Sequence, residues 1–75
     1  MNAWKVEYHN TANGSLMVID EFSQWLAPCE IAEKVESFAT TRPDCDCAWA
    51  EDPSGIVYYF ALENDEWNYY VIDED

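Results

Sequence analysis

A chain of 75 residues with 16 Asp+Glu against 3 Lys+Arg carries a formal net charge of −13. A small domain needs a net charge of magnitude about 2–8 for solubility, and charge beyond that destabilises the compact state by self-repulsion. With 49% apolar and 16% aromatic residues the chain is too hydrophobic for a disordered acidic tail, which leaves one folded domain, residues 1–75, under an acidic surface.

The first predicted element is a strand over Trp4–His9, where apolar and polar residues alternate. Asn13-Gly14 is a hairpin signal, and Leu16–Asp20 is the return strand. A two-residue turn sets Tyr8 against Ile19 and Val6 against Glu21, and puts Trp4, Val6, Tyr8, Met17 and Ile19 on the buried face. The other face then pairs Glu7 with Asp20, a destabilising match of like charges. Ser23–Ala27 reads as a short turn capped by Ser23, with Trp25 and Leu26 turned inward.

The spacing predicts a helix from Pro28 to about Thr40. Ile31, Val35 and Phe38, with Ala32 and Ala39, form its apolar stripe, and Glu30 and Lys34 form an i, i+4 pair. Pro43 ends it by pushing Arg42 out of helical geometry. Asp44–Trp49 alternates as a strand, and Asp52-Pro53-Ser54-Gly55 is a type I turn. Ile56–Leu62 is a nearly continuous apolar strand, Glu63–Glu66 a polar turn, and Trp67–Ile72 the last strand. The expected fold is α+β in two layers, chain order β-β-α-β-β-β, with an antiparallel sheet and the helix packed on one face.

Closing the Asp52–Gly55 turn sets Trp49 beside Tyr58 and Cys47 beside Phe60, and the next hairpin sets Phe60 beside Tyr69 and Tyr58 beside Val71. One face then carries Cys45, Cys47, Trp49, Tyr58, Phe60, Leu62, Trp67, Tyr69 and Val71 as a core layer. The other carries Ala48, Ala50, Val57, Tyr59, Ala61, Tyr70 and Ile72, where an antiparallel sheet normally turns polar residues to water. An apolar patch of that kind marks an interaction surface, and Val57, Tyr59, Tyr70 and Ile72 are also the expected contact of a homodimer. Two alternatives stand beside this: the N-terminal hairpin or Trp25 covers the face, or the register slips by one residue and exchanges the two faces.

The expected partner-binding residues are the acidic rim, Asp44, Asp46, Glu51, Asp52, Glu63, Asp65, Glu66, Asp73 and Glu74, together with Tyr59 and Tyr70. Residues 41–75 hold ten acids and one base, so most of the field lies beyond the helix. Reversing Asp44, Asp46, Glu63 and Glu66 to Lys is expected to weaken partner binding strongly and leave the fold intact or more stable.

Catalytic constellations are not found. His9 is the single histidine and sits on the polar face of the first strand. Asp44-Cys45-Asp46 begins like a calcium loop, but Trp49 stands where Gly is needed and Gly55 where the bidentate Glu belongs. Cys29, Cys45 and Cys47, with one distant His, lack the paired spacing of a zinc site. The expectation is a protein without enzymatic activity, metal or cofactor. Three cysteines are an odd number and suit a reducing compartment. No run of 18 apolar residues and no signal-peptide pattern occurs, so the expected location is the cytoplasm, away from membranes.

Phosphates repel such a surface, which disfavours direct nucleic-acid binding and points to a basic protein partner. Duplex DNA carries one charge per about 1.7 Å, so 13 charges match about 22 Å of duplex, a density within a factor of two of this domain's. The leading expectation is therefore imitation of DNA that blocks a basic nucleic-acid-binding protein. The alternatives are an immunity protein or antitoxin that covers a basic nuclease toxin, and a generic acidic domain of a halophile.

In length and in its acids at Asp44/Asp46, Glu51-Asp52, Glu63/Asp65/Glu66 and Asp73-Glu74-Asp75, the chain resembles the phage-encoded inhibitors of bacterial defence, such as anti-CRISPR and DNA-mimic anti-restriction proteins. The likeness is one of size and charge, without a motif. It implies a protein of the host bacterial cytoplasm that occupies the positively charged nucleic-acid channel of a CRISPR or restriction effector without catalysis.

Overall fold

The computed structural model describes residues 3–12 and 14–72. The elements in chain order are β1 (Ala3–Asn10), β2 (Ser15–Ser23), α1 (Pro28–Thr41), β3 (Cys47–Glu51), β4 (Val57–Glu63) and β5 (Glu66–Ile72). The five strands form one antiparallel sheet in the spatial order β2-β1-β3-β4-β5, an α+β fold with a single helix. Chain order and spatial order part at α1: the crossover from β2 returns the chain to the far side of β1, so β1 lies inside the sheet.

One face of this sheet makes the core with α1. Trp4, Val6 and Tyr8 from β1, Ala48 and Ala50 from β3, and Tyr58 and Phe60 from β4 cluster with Ile31 and Val35 of α1. These are alternate residues on each strand, as the pleat requires. Phe38 stacks on Tyr8 with centroids 3.9 Å apart, and the Trp4 indole Nε1–H donates to the Leu26 carbonyl at 2.9 Å. Burial next to Asp20 pushes the Tyr8 phenol up to about 12.

The helix follows its stripe. Ala27 precedes it in extended geometry, and the Glu30 carboxylate accepts the Ala27 N–H at 2.7 Å. Arg42 leaves helical geometry before Pro43, with φ −127 and ψ 81. The expected Glu30–Lys34 ion pair does not form; Lys34 Nζ lies 5.9 Å over the Phe22 ring instead. Leu26 turns inward as expected, whereas Trp25 is 83% exposed.

Three hairpins set the registers, and two differ from expectation. Between β1 and β2, Tyr8 pairs with Val18 but His9 pairs with Leu16, so Met17 is an extra residue, a bulge. The pair nearest the connection is Asn10 with Ser15, so four residues and not the expected two join the strands, and with the bulge the net shift upstream is one: Val6 faces Asp20 and Glu7 faces Ile19. The expected Glu7–Asp20 repulsion is therefore absent, because the two carboxylates lie on opposite faces. Val18 and Phe22 pack on the core where Ile19 was expected, and Ile19 is turned to the other side. Asn13 of the connection lies outside the described residues.

Between β3 and β4 the Gly55 N–H donates to the Asp52 carbonyl, as in a type I turn, but the Asp52 N–H then donates to the Ile56 carbonyl. Gly55 has φ +95 and adds a third loop residue. The register moves by one, so Trp49 pairs with Tyr59 and Cys47 with Ala61, not with Tyr58 and Phe60. The two faces of β3 are thereby exchanged: Ala48 and Ala50 enter the core, and Trp49 leaves it. The β4–β5 hairpin matches expectation: Asn64 (φ 53) and Asp65 (φ 65) make a two-residue turn, Phe60 pairs with Tyr69 and Tyr58 with Val71.

Candidate interaction face

The sheet face opposite α1 is covered by nothing among the described residues. Neither alternative cover reaches it: the β1–β2 hairpin extends the same sheet sideways, and Trp25 stands out in the β2–α1 connection. The registers lay its side chains out in rows across all five strands. The central row runs Ile19, Glu7, Trp49, Tyr59 and Tyr70. On one side lies the row Glu21, Lys5, Glu51, Val57 and Ile72, and on the other Leu16, His9, Cys47, Ala61 and Asn68.

Aromatic rings dominate the middle of this face. Trp49 and Tyr59 meet at a centroid distance of 4.6 Å, and Trp49 is 38% and Tyr70 47% exposed. Lys5, Glu7, His9, Glu51 and Val57 line a groove of about 360 Å³ beside Trp49. The Tyr70 hydroxyl donates to Glu63 Oε1 at 2.8 Å, and the Asn68 amide donates to the same oxygen at 3.2 Å. That bond raises the Tyr70 phenol above its usual value and holds the Glu63 carboxylate at the border of the aromatic row.

The electrostatics are lopsided. Glu7, Glu21, Glu51, Glu63 and Glu66 share this face with Lys5 and His9. Among the described residues the ion pairs are His9 Nε2 with Glu7 at 3.5 Å and Arg42 Nε with Asp44 at 3.8 Å. No other described carboxylate has a described cation within salt-bridge distance.

The expected partner-binding residues fall into different places. Asp44, Asp46, Glu63, Asp65 and Glu66 gather at the end of the sheet where β3 begins, and Glu51 and Asp52 lie at the other end. Asp73 and Glu74 lie outside the described residues. Tyr59 and Tyr70 share the open face with Val57, Ala61 and Ile72, as expected, but Ala48 and Ala50 do not.

Two of the acids are occupied by the fold. Asp46 accepts the Thr11 N–H at 2.9 Å and the Thr11 hydroxyl at 2.6 Å, which ties the end of β1 to the start of β3. Desolvation works against the Asp46 anion, but the Thr11 bonds outweigh it and hold the carboxyl below its usual value. Asp52 accepts the N–H groups of Ser54 and Ile56, both at 2.9 Å, and so organises the β3–β4 turn. Reversal of Asp46 therefore removes the Thr11 bonds as well as a charge.

Trp49 is the residue of the aromatic row that sequence reasoning misplaced. The signal was there in Gly55: a glycine after a type I turn admits a left-handed third loop residue, which shifts the register by one.

Burial pushes the Cys45 thiol up, and burial followed by the charge of Asp46 does the same for Cys47, so both are poor thiolates. No group of three or more His, Cys, Asp or Glu converges as a metal site among the described residues. Nor is any of their helices long and apolar enough to cross a membrane. Compared with known families, curated proteins and solved structures, the chain matches none of them.

Proposed function

We propose that this protein is a non-catalytic inhibitor that binds a basic nucleic-acid-binding protein and occupies the site where DNA would lie, the effector of a CRISPR or restriction system being the favoured target. The observation that carries the reading is charge density. Of the thirteen net charges, ten fall on the described residues, a body 31 Å long, and a duplex of that length carries about 18. Acids at both ends of the sheet and on its open face spread that charge along the body, as phosphates are spread along a duplex. Steering by opposite charge makes such a protein quick to associate and sensitive to salt.

Immunity against a basic nuclease toxin uses the same electrostatics, and competition separates the two. The tagged protein is used to capture its target from a bacterial lysate at low salt, and the bound target is challenged with duplex DNA. Release of a basic nucleic-acid enzyme by DNA supports mimicry. Retention of a single toxin despite excess DNA overturns it in favour of immunity, and recovery of nothing specific overturns it in favour of a generic acidic domain of a halophile.

A further inference from the structure

Resting on the reading of a basic partner, we propose that the open sheet face is the docking surface and that it is built to take arginine: guanidinium groups of the partner stack on the Trp49–Tyr59–Tyr70 row. Three adjacent strands place these rings side by side, with Trp49 and Tyr59 4.6 Å apart. Carboxylates stand at the edges of the row. Glu7 is the cross-strand neighbour of Trp49, Glu51 follows Trp49 by two residues on the same face, and Glu63 is fixed by Tyr70.

A planar guanidinium can lie on an aromatic face while its N–H fork meets a carboxylate at the ring edge. An ammonium is a compact, strongly hydrated point charge and cannot do both. Charge complementarity also decides against a second copy of this chain as the occupant. Five carboxylates face Lys5 and His9 here, so two such faces set together would oppose like charges. The homodimer expected through Val57, Tyr59, Tyr70 and Ile72 is disfavoured on that ground. Trp25, 83% exposed in the β2–α1 connection, has no place in the row and serves as an internal control.

The test titrates the isotope-labelled full chain with nona-arginine and with nona-lysine near physiological salt, following indole N–H and backbone amide resonances. Nona-arginine should bind about tenfold more tightly than nona-lysine, the size of one or two cation–π contacts at exposed sites. The Trp49 indole and the β3–β5 amides should move, and the Trp25 indole should not. Trp49→Leu keeps an apolar side chain without the π face, and Tyr70→Leu repeats the test at a more exposed position. Each should reduce the arginine preference while the amide spectrum stays folded. Equal affinities for the two peptides, or shifts concentrated on α1, overturn the arginine inference and leave the basic-partner reading standing. No binding of either peptide even at low salt overturns both. Concentration-dependent self-association through the same resonances overturns the choice of occupant.

Discussion

Asp46 and Glu63 show that acids which look alike in the sequence do different work. Asp46 spends both carboxylate oxygens on Thr11 and joins two strands, whereas Glu63 is held by Tyr70 and Asn68 at the border of the open face. Asp46→Ala should therefore cost about 1 kcal/mol in urea unfolding at pH 7, from two lost hydrogen bonds at a partly exposed site. The sign of its pH dependence follows from a folded-state value that is depressed: the contribution is present above the ordinary Asp value near 4 and is lost as pH falls through the folded value. The gap between wild type and Asp46→Ala should close in unfolding curves taken towards pH 2. A gap that persists there would show that the Thr11 contacts owe nothing to the charge. Trp49→Ala, at 38% exposure and in contact with Tyr59 alone among the rings, should cost about 1 kcal/mol, well below a core deletion of about 3–5 kcal/mol. Thermal unfolding measures it, and a core-sized loss would place Trp49 inside the fold's main packing.

At the level of the elements, turn length decided what could be read in advance. The helix was legible because Ile31 and Val35 repeat at helical spacing and Pro28 and Pro43 bracket it. The β4–β5 register was legible because Glu63–Glu66 closes in a two-residue turn that fixes every pair behind it. The β3 face was not, because Gly55 takes part in the loop, and the β1–β2 pairing was not, because the connection has four residues where two were expected and Met17 bulges; the odd residue in each case is Gly55 or Met17. Each adds one residue, and one residue inverts a strand. The open face was anticipated as an apolar patch with Tyr59 and Tyr70 in it, yet its largest ring was assigned to the core. Gly55→Ala isolates the conformational cost, since a Cβ there meets nothing within 4 Å while φ is +95. It should destabilise by about 1–2 kcal/mol in chemical denaturation. Deleting Gly55 should do far more, because a two-residue loop would drive Trp49 inward and Ala48 and Ala50 outward. A deletion variant with wild-type stability and spectra would refute the role given to this loop.

For the whole molecule the proposed function makes the charge both a cost and the means of recognition, so salt should act on folding and on binding with opposite signs. Raising ionic strength from about 0.01 M to about 1 M shortens the screening length from about 30 Å to about 3 Å. The free protein's melting temperature should rise as its acids cease to repel one another, and the affinity for the partner should fall. A melting temperature that falls with salt would mean that ion pairs, not repulsion, dominate the surface. The most direct test of the central claim is displacement of labelled duplex DNA from the captured partner. Wild type should release the DNA near one equivalent. Reversal of Glu51, Glu63 and Glu66 to Lys on the open face should weaken release by about tenfold or more, and reversal of Glu30, Glu33 and Glu36 on α1 by much less. DNA that stays bound at saturating wild-type protein, or equal losses from the two sets of reversals, would contradict the account.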